Sequence, residues 1–358
     1  MRIAIFSYGL PVEGQKRGGI ERVAHVLSQG LAQRGHLVSV FSHDRRPEGA
    51  TYAVRELPWK RFVDTWLGRR ATMGYLGNVL ALLPDYRQCD VVISFGDSLL
   101  LPLTNRPVLR VMLGSALGEA RSAHSLGRFV LQSGIYLQEL ATALVQTTAG
   151  ISENTRRDNP FIRHTIPLGV DSEVFSPTPQ QKTALPSIIF VGTTQGRKRG
   201  RFLLEIFENV IRPAHPASTL TFVGPVDRPI PGVTYHTGVS DGQLASLYRG
   251  SWLYASPSTY EGFGLPYLEA MACGTAVVAT PNPGSREVLV DGQYGKLADD
   301  AGFGAAILDL LNDAGGRRTL EAAGLRRAEQ LSAATMIDRY EAVLAEICTH
   351  HERRIVSA

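Results

Sequence analysis

The sequence predicts an α/β protein made of two doubly wound, largely parallel sheets, each in its own domain. Three observations carry this. Short apolar runs that end in glycine or Ser-Pro alternate with stretches of helical period. The alternation stops in a segment rich in Pro, Ser and Thr, residues 166–187, and then starts again. At 358 residues the chain exceeds what a single core ordinarily organises.

The first series opens with a strand at Ile3–Ser7, followed by a helix from about Gly19 with Ile20, Val23, Leu27 and Leu31 on one face. Gly35 stops that helix, because glycine takes up the left-handed conformation that ends one. Further strands are expected at Leu37–Ser42, Asp90–Phe95 and Pro107–Met112. The second series places strands at Ser187–Val191, Leu220–Val223, Leu253–Ala255 and Ala276–Ala279. The domains are therefore expected at 1–167 and 168–333. A last helix, about 334–350, is free to cap the second domain or cross back to the first. Its apolar positions are Ile337, Tyr340, Val343, Leu344 and Ile347, and the polar tail from Thr349 is expected to fray.

Composition narrows the function classes. Hydrophobic residues make up 44% and charged residues 20%, as in a soluble enzyme. The apolar run at Leu76–Pro84 is too short to span a bilayer, and Met1–Ser7 reads as a strand rather than a signal peptide. Cys89, Cys273 and Cys348 are too widely spaced for a metal knuckle or a disulfide framework. These features predict a cytoplasmic protein. Net charge is +4, concentrated in residues 1–165, which hold 20 Lys and Arg against 13 Asp and Glu. That surplus suits an anionic partner or a solvated basic surface.

The chemistry concentrates in loops that follow strands. In Tyr260-Glu-Gly-Phe-Gly-Leu-Pro-Tyr-Leu-Glu269, one acid precedes a helix and a second lies inside it, with glycines between. The uncapped amides of a helix start favour an anion such as a diphosphate, and glycine lets it approach. Glu261 and Glu269 then stand toward the two ends of an elongated ligand, as acceptors for sugar or ribose hydroxyls. Phe190-Val-Gly-Thr-Thr-Gln-Gly-Arg-Lys-Arg-Gly200 repeats the strand–glycine–helix design and places Arg197, Lys198 and Arg199 where they would neutralise a diphosphate. Gly18 and Gly19 mark a third close-approach loop. Both the dinucleotide fingerprint and the Walker loop are absent.

The stretch Ser256–Thr280 resembles the donor-site signature of the retaining glycosyltransferases of family GT4, the "glycosyl transferases group 1". Gly18-Gly-Ile-Glu-Arg22, Ile166–Pro177, Val239–Ser251 and Gly284–Leu297 resemble further segments of that family. The resemblance implies a GT-B fold, two Rossmann-like domains facing across a cleft. It implies transfer of a sugar from a nucleotide diphosphate, UDP- or GDP-linked, to an acceptor hydroxyl with retention. Glu261 would then lie at the transferred sugar and Glu269 at the ribose. Lys198 or Arg199 would stabilise the leaving diphosphate. Phe263, Gly264 and Leu265 would meet sugar and diphosphate through their backbone, and Gly18, Gly19 and Thr193 would complete the donor site. No metal and no separate cofactor is implied.

Many relatives have arginine where this chain has Thr193, and histidine where it has Leu113. These departures suit the alternative of a catalytically impaired sugar-nucleotide-binding or scaffold protein. The acceptor, a sugar, a small molecule or a lipid-linked compound, is expected on the N-terminal domain; no nucleic acid is expected. Trp59, Phe62, Trp66 and Tyr75 interleave with Lys60, Arg61, Arg69 and Arg70. That mixture suits peripheral contact with an anionic membrane, or a helix pair with its aromatics turned inward.

Overall fold

The computed structural model describes residues 1–11, 19–57, 78–79, 81–96, 98–117, 126–178, 182–226 and 228–356. The aromatic and basic positions between Trp59 and Tyr75, and Gly18, lie outside the described residues. The chain divides into two compact units, Met1–Pro167 with Ala333–Ala358, and Leu168–Ser332.

Unit 1 is built on a seven-stranded parallel sheet in the order β3-β2-β1-β4-β5-β6-β7. Its strands are β1 (Arg2–Phe6), β2 (Leu37–Ser42), β3 (Ala53–Glu56), β4 (Val91–Ser94), β5 (Val108–Met112), β6 (Thr147–Gly150) and β7 (His164–Thr165). Among the described residues before the interdomain join, its α-helices are α1 (Gly19–Gln33), α2 (Leu126–Val145) and α3 (Glu153–Asp158). Val-Val-Ile-Ser of β4 is buried throughout, as expected of a parallel strand covered on both faces. Ala4, Phe6, Phe41, Tyr86, Val92 and Leu101 form a core on one side of the sheet.

Unit 2 is a six-stranded parallel sheet in the order β10-β9-β8-β11-β12-β13. The strands are β8 (Ser187–Val191), β9 (Thr219–Val223), β10 (Val233–His236), β11 (Leu253–Ser256), β12 (Ala276–Ala279) and β13 (Lys296–Leu297). Around them stand α4 (Gly200–Ile206), α5 (Asp241–Gly250), α6 (Leu265–Ala272), α7 (Pro283–Leu289), α8 (Phe303–Asn312) and α9 (Ala314–Gln330). Phe190 and Phe222, with ring centroids 4.7 Å apart, anchor a core that also holds Leu203, Phe207 and Ile307.

The last helix, α10 (Ala333–Val356), belongs to unit 1. Ile337, Tyr340, Val343, Leu344 and Ile347 are its buried face. It seats against α1 where a glycine leaves a groove: a Cβ on Gly30 would fall 2.0 Å from Ile337 Cδ1. Arg34 pairs with Glu341 and, at 2.6 Å, with Asp338, and His36 Nε2 lies 2.8 Å from Glu341. Two expectations are corrected. Helical hydrogen bonding continues past Thr349 to Val356, so the polar tail extends the helix. Ile20 is 41% exposed on the first turn of α1, and the packed face there is Val23, Leu27 and Leu31. Among the described residues no helix is long and apolar enough to cross a membrane.

Candidate active site

In unit 2 the chain runs from β8 outward to β10, then returns to β11 on the other side of β8. The loops after β8 and β11 therefore diverge at their carboxyl ends, the crevice where open α/β sheets bind ligands. Both predicted loops start here.

Three glycines shape the first. A Cβ on Gly224, at the end of β9, would fall 1.9 Å from the Gly192 carbonyl oxygen. One on Gly192 would press on the Lys198 stem, and one on Gly200 would meet the Thr193 carbonyl at 2.8 Å. The backbone is thus packed on itself, and a single 3₁₀ turn, Gly196–Lys198, fits into the loop. Arg199 closes that turn in the left-handed conformation, φ 53°, a strained setting for a residue with a side chain. The reversal separates the cations. Arg199 donates to both Asp300 oxygens, at 2.8 and 2.7 Å, and lies 4.3 Å over the Phe202 ring. Arg197 and Lys198 turn the other way.

They meet Glu261. Lys198 Nζ lies 2.6 Å from Oε1, and Arg197 Nη1 donates to Oε2 at 2.7 Å and to the Tyr260 carbonyl at 2.8 Å. The Thr259 amide donates to the Arg197 carbonyl, stitching one loop to the other. Glu261 is only 5% exposed. Burial pushes its carboxyl pKa up, but Lys198 and Arg197 outweigh that, helped by hydrogen bonds from Lys198 and Ser258. The pKa therefore sits below the ordinary glutamate value, and the group is an anion at neutral pH.

The second loop is clamped from beneath. Asn282 Nδ2 donates to the carbonyls of Ser258 and Thr280 and to Tyr267 Oη, at 2.9, 3.2 and 3.1 Å. Its Oδ1 accepts the Ser285 amide at 3.0 Å, and Ser285 Oγ accepts the Asn282 amide, a reciprocal cap that starts α7. Gly284 comes next in the first turn, where a Cβ would lie 2.5 Å from the Phe263 carbonyl and 2.8 Å from Glu261 Cβ. Sequence reasoning passes over Asn282, Gly284 and Tyr267, although Pro-Asn-Pro-Gly-Ser does carry a capping signal.

Gly264, with φ +103°, turns the chain into α6, whose first turn has no side-chain cap. Phe263 is buried and Leu265 half-buried at that start. One turn on, Glu269 is 3% exposed. Thr193 is exposed at the mouth of the first loop, and its hydroxyl donates to the Gln195 carbonyl at 2.7 Å. Gly19, exposed, is the first residue of α1 in unit 1. The structure thus gathers Glu261 with Lys198 and Arg197, and turns Arg199 away. Chemically, two cations beside an uncapped helix start can take up an anion, and two buried carboxylates can take up hydroxyls. No group of three or more His, Cys, Asp or Glu suited to a metal occurs among the described residues.

Residues 185–313, which contain both loops, match the family model described as glycosyl transferases group 1. Over the whole chain the solved structure of sucrose-phosphate synthase from Thermosynechococcus elongatus is similar, with TM-score 0.73 at 19% identity, covering 100% of both chains. The fold is GT-B. Another GT-B neighbour, Anabaena Alr3699/HepE in complex with UDP-glucose, has TM-score 0.73 at 15% identity over 97% of this chain and 100% of that one. Among curated proteins, a D-inositol 3-phosphate glycosyltransferase of Xylanimonas cellulosilytica is 32% identical over 213 residues, 49% of this chain and 50% of its own. O-antigen chain mannosyltransferase B of Escherichia coli is 34% identical over 161 residues, 40% of this chain and 42% of its own. The chain spans about half the length of the curated relatives it matches.

Proposed function

We propose that this protein is a retaining glycosyltransferase of the GT4 type, moving a sugar from a nucleotide diphosphate donor to an acceptor hydroxyl. The observation that carries the reading is the pairing of Glu261 with Lys198 and Arg197 at the point where β8 and β11 diverge. The cations are held ready by a carboxylate that itself faces the place where a sugar would lie. A donor whose diphosphate settles against the start of α6 gives Lys198 and Arg197 a stronger anion. As the glycosidic bond breaks, negative charge grows on the departing phosphate, and fixed cations in a buried site stabilise that charge most. The acceptor hydroxyl then attacks from the face that the phosphate leaves and passes its proton to the departing phosphate oxygen, which retains the anomeric configuration.

Glu261 serves the sugar hydroxyls and Glu269 those of the ribose. Thr193 and the backbone of Phe263, Gly264 and Leu265 line the donor. The cations take the place of a divalent metal, and no cofactor takes part. A structural neighbour is solved with UDP-glucose, which supports a UDP-linked donor; a GDP-linked donor is the other candidate. The acceptor is a sugar, a small hydroxylated molecule or a lipid-linked compound at the membrane face of the cytoplasm.

The test is release of nucleoside diphosphate across a panel of UDP- and GDP-sugars, with each acceptor class supplied in turn. Donor-specific release that Lys198→Ala abolishes supports transfer. Donor binding without release under any acceptor would instead identify the catalytically impaired binding protein.

A further inference from the structure

Asn282 does more than a helix cap requires. Its Oδ1 accepts the Ser285 amide at 3.0 Å and so caps α7, a task that serine, threonine or aspartate would also perform. Asparagine adds a pair of N–H donors on Nδ2. They reach the carbonyls of Ser258 and Thr280 and the Tyr267 hydroxyl, at 2.9, 3.2 and 3.1 Å, from a side chain that is itself buried.

Of these acceptors, the Ser258 carbonyl leads to the site. Ser258 is buried, and a second donor, Thr280 Oγ1, reaches its carbonyl at 2.8 Å. Both lone pairs of that oxygen are therefore taken by the loop after β12. The same peptide bond carries the Thr259 amide, which points the opposite way because the peptide is planar and trans. That amide donates to the Arg197 carbonyl at 2.9 Å, the one backbone hydrogen bond joining the two site loops among the described residues. One rigid plane thus has the loop after β12 on one edge and the basic loop on the other.

From Arg197 the connections close on themselves. Its side chain donates to the Tyr260 carbonyl at 2.8 Å and to Glu261 Oε2 at 2.7 Å, and Lys198, next in the chain, reaches Oε1. The Gly200 and Arg201 amides bond back within the basic loop, to the Thr193 and Thr194 carbonyls. Those bonds fix the shape of the loop but not its distance from Glu261. We infer that Asn282 is a positioning residue for the donor site: by holding the Ser258–Thr259 peptide, it sets where Arg197 and Lys198 stand against Glu261. The consequence for sugar transfer rests on the proposed function, whereas the mechanical link stands apart from it.

Hydrogen–deuterium exchange read by mass spectrometry tests the link, and donor kinetics test its consequence. Asn282→Asp keeps an acceptor for the Ser285 amide and gives up the donors. Amides in 194–200 and 258–264 should then exchange faster than in the wild type, while 283–289 stays protected. With a donor that the wild type uses, kcat should fall by about 10- to 100-fold, as when reacting groups are slightly misplaced, and nucleoside diphosphate affinity should fall less. Thr280→Val removes the other donor to the Ser258 carbonyl and adds no charge. It should show the same pattern in milder form, and it carries the test if Asn282→Asp folds poorly. Unchanged exchange across 194–200 in a folded variant overturns the inference, as does a loosened loop with wild-type kcat. Faster exchange confined to 283–289 also overturns it, by making Asn282 a cap and nothing more. A wild type that turns over no donor removes the proposed function, and the exchange pattern still decides the link.

Discussion

Lys198 Nζ and Glu261 Oε1 lie 2.6 Å apart, across two loops that leave different strands, with the carboxylate buried. The same lysine that would stabilise a leaving diphosphate is held, before any donor arrives, by the acid that would meet the sugar. Removing either partner therefore has a different signature.

Lys198→Ala leaves Arg197 on Glu261 and takes away one of two cations at the site. We expect kcat to fall by about 100-fold or more, in the range seen when one stabilising donor is lost, with a smaller change in donor affinity. Initial rates and donor titrations read the two separately. Excess chelator should leave wild-type turnover unchanged; dependence on a divalent ion would take the leaving-group role away from this loop.

Glu261→Gln keeps the shape of the side chain and releases both cations. Free nucleoside diphosphate should then bind at least as tightly as to the wild type, while turnover collapses. Calorimetry with UDP and GDP provides the check. Weaker nucleotide binding would mean that Glu261 positions the basic loop rather than competing with the ligand for it.

Acid should loosen unit 2 through the same group. The folded-state pKa of Glu261 lies below its ordinary value of 4.5, so its ion pairs add stability that is complete above that value and lost as pH falls through the folded pKa. Thermal melts from pH 6 down to pH 3 should show a decline that Glu261→Gln makes shallower. Parallel curves for the two proteins would contradict the shift.

Glu269→Ala removes a buried acceptor from the body of α6. Nucleoside diphosphate affinity should drop by about tenfold or more, corresponding to the ~1–3 kcal/mol lost when a hydrogen-bonded group is left without its partner. Equal affinity in wild type and variant would place the ribose elsewhere.

Gly284→Ala probes the clamp beneath the site. The added methyl would sit 2.5 Å from the Phe263 carbonyl and 2.8 Å from Glu261 Cβ, so the loop must shift. Donor affinity should fall more than tenfold, while the melting temperature drops by only a few degrees, as expected for ~1–3 kcal/mol of overpacking. A melting loss without a binding loss would separate Gly284 from the site.

The sequence made the strands of the two sheet centres readable, because Ile-Ala-Ile-Phe, Ser-Ile-Ile-Phe-Val and Ala-Val-Val-Ala are continuous apolar runs buried on both faces. Some strands at or next to a sheet edge were not readable. His164–Thr165 and Lys296–Leu297 span two residues each, too few to show any period, and Thr147–Gly150 is buried without being apolar. Helical periodicity also marks an apolar face without saying which side it turns to, and Ile20 on α1 shows the difference. In the site, the spacing of Glu261 and Glu269 was legible. Which of three successive cations reaches Glu261 was not, since that depends on the left-handed turn at Arg199, which its side chain does nothing to announce.

Because α10 completes unit 1 but follows unit 2 in the sequence, the order of synthesis is not the order of completion. Unit 2 is one continuous stretch, so all of its chain is made before α10 is. Unit 1 is translated first, yet it waits through all of Leu168–Ser332 before the helix that fills the groove at Gly30 and meets Arg34 is made. At the end of that interval the nascent chain carries all of unit 2 joined to a sheet still lacking its last helix. A stop codon between Ala333 and Ile337 would therefore damage the oldest part of the molecule while leaving Leu168–Ser332 whole.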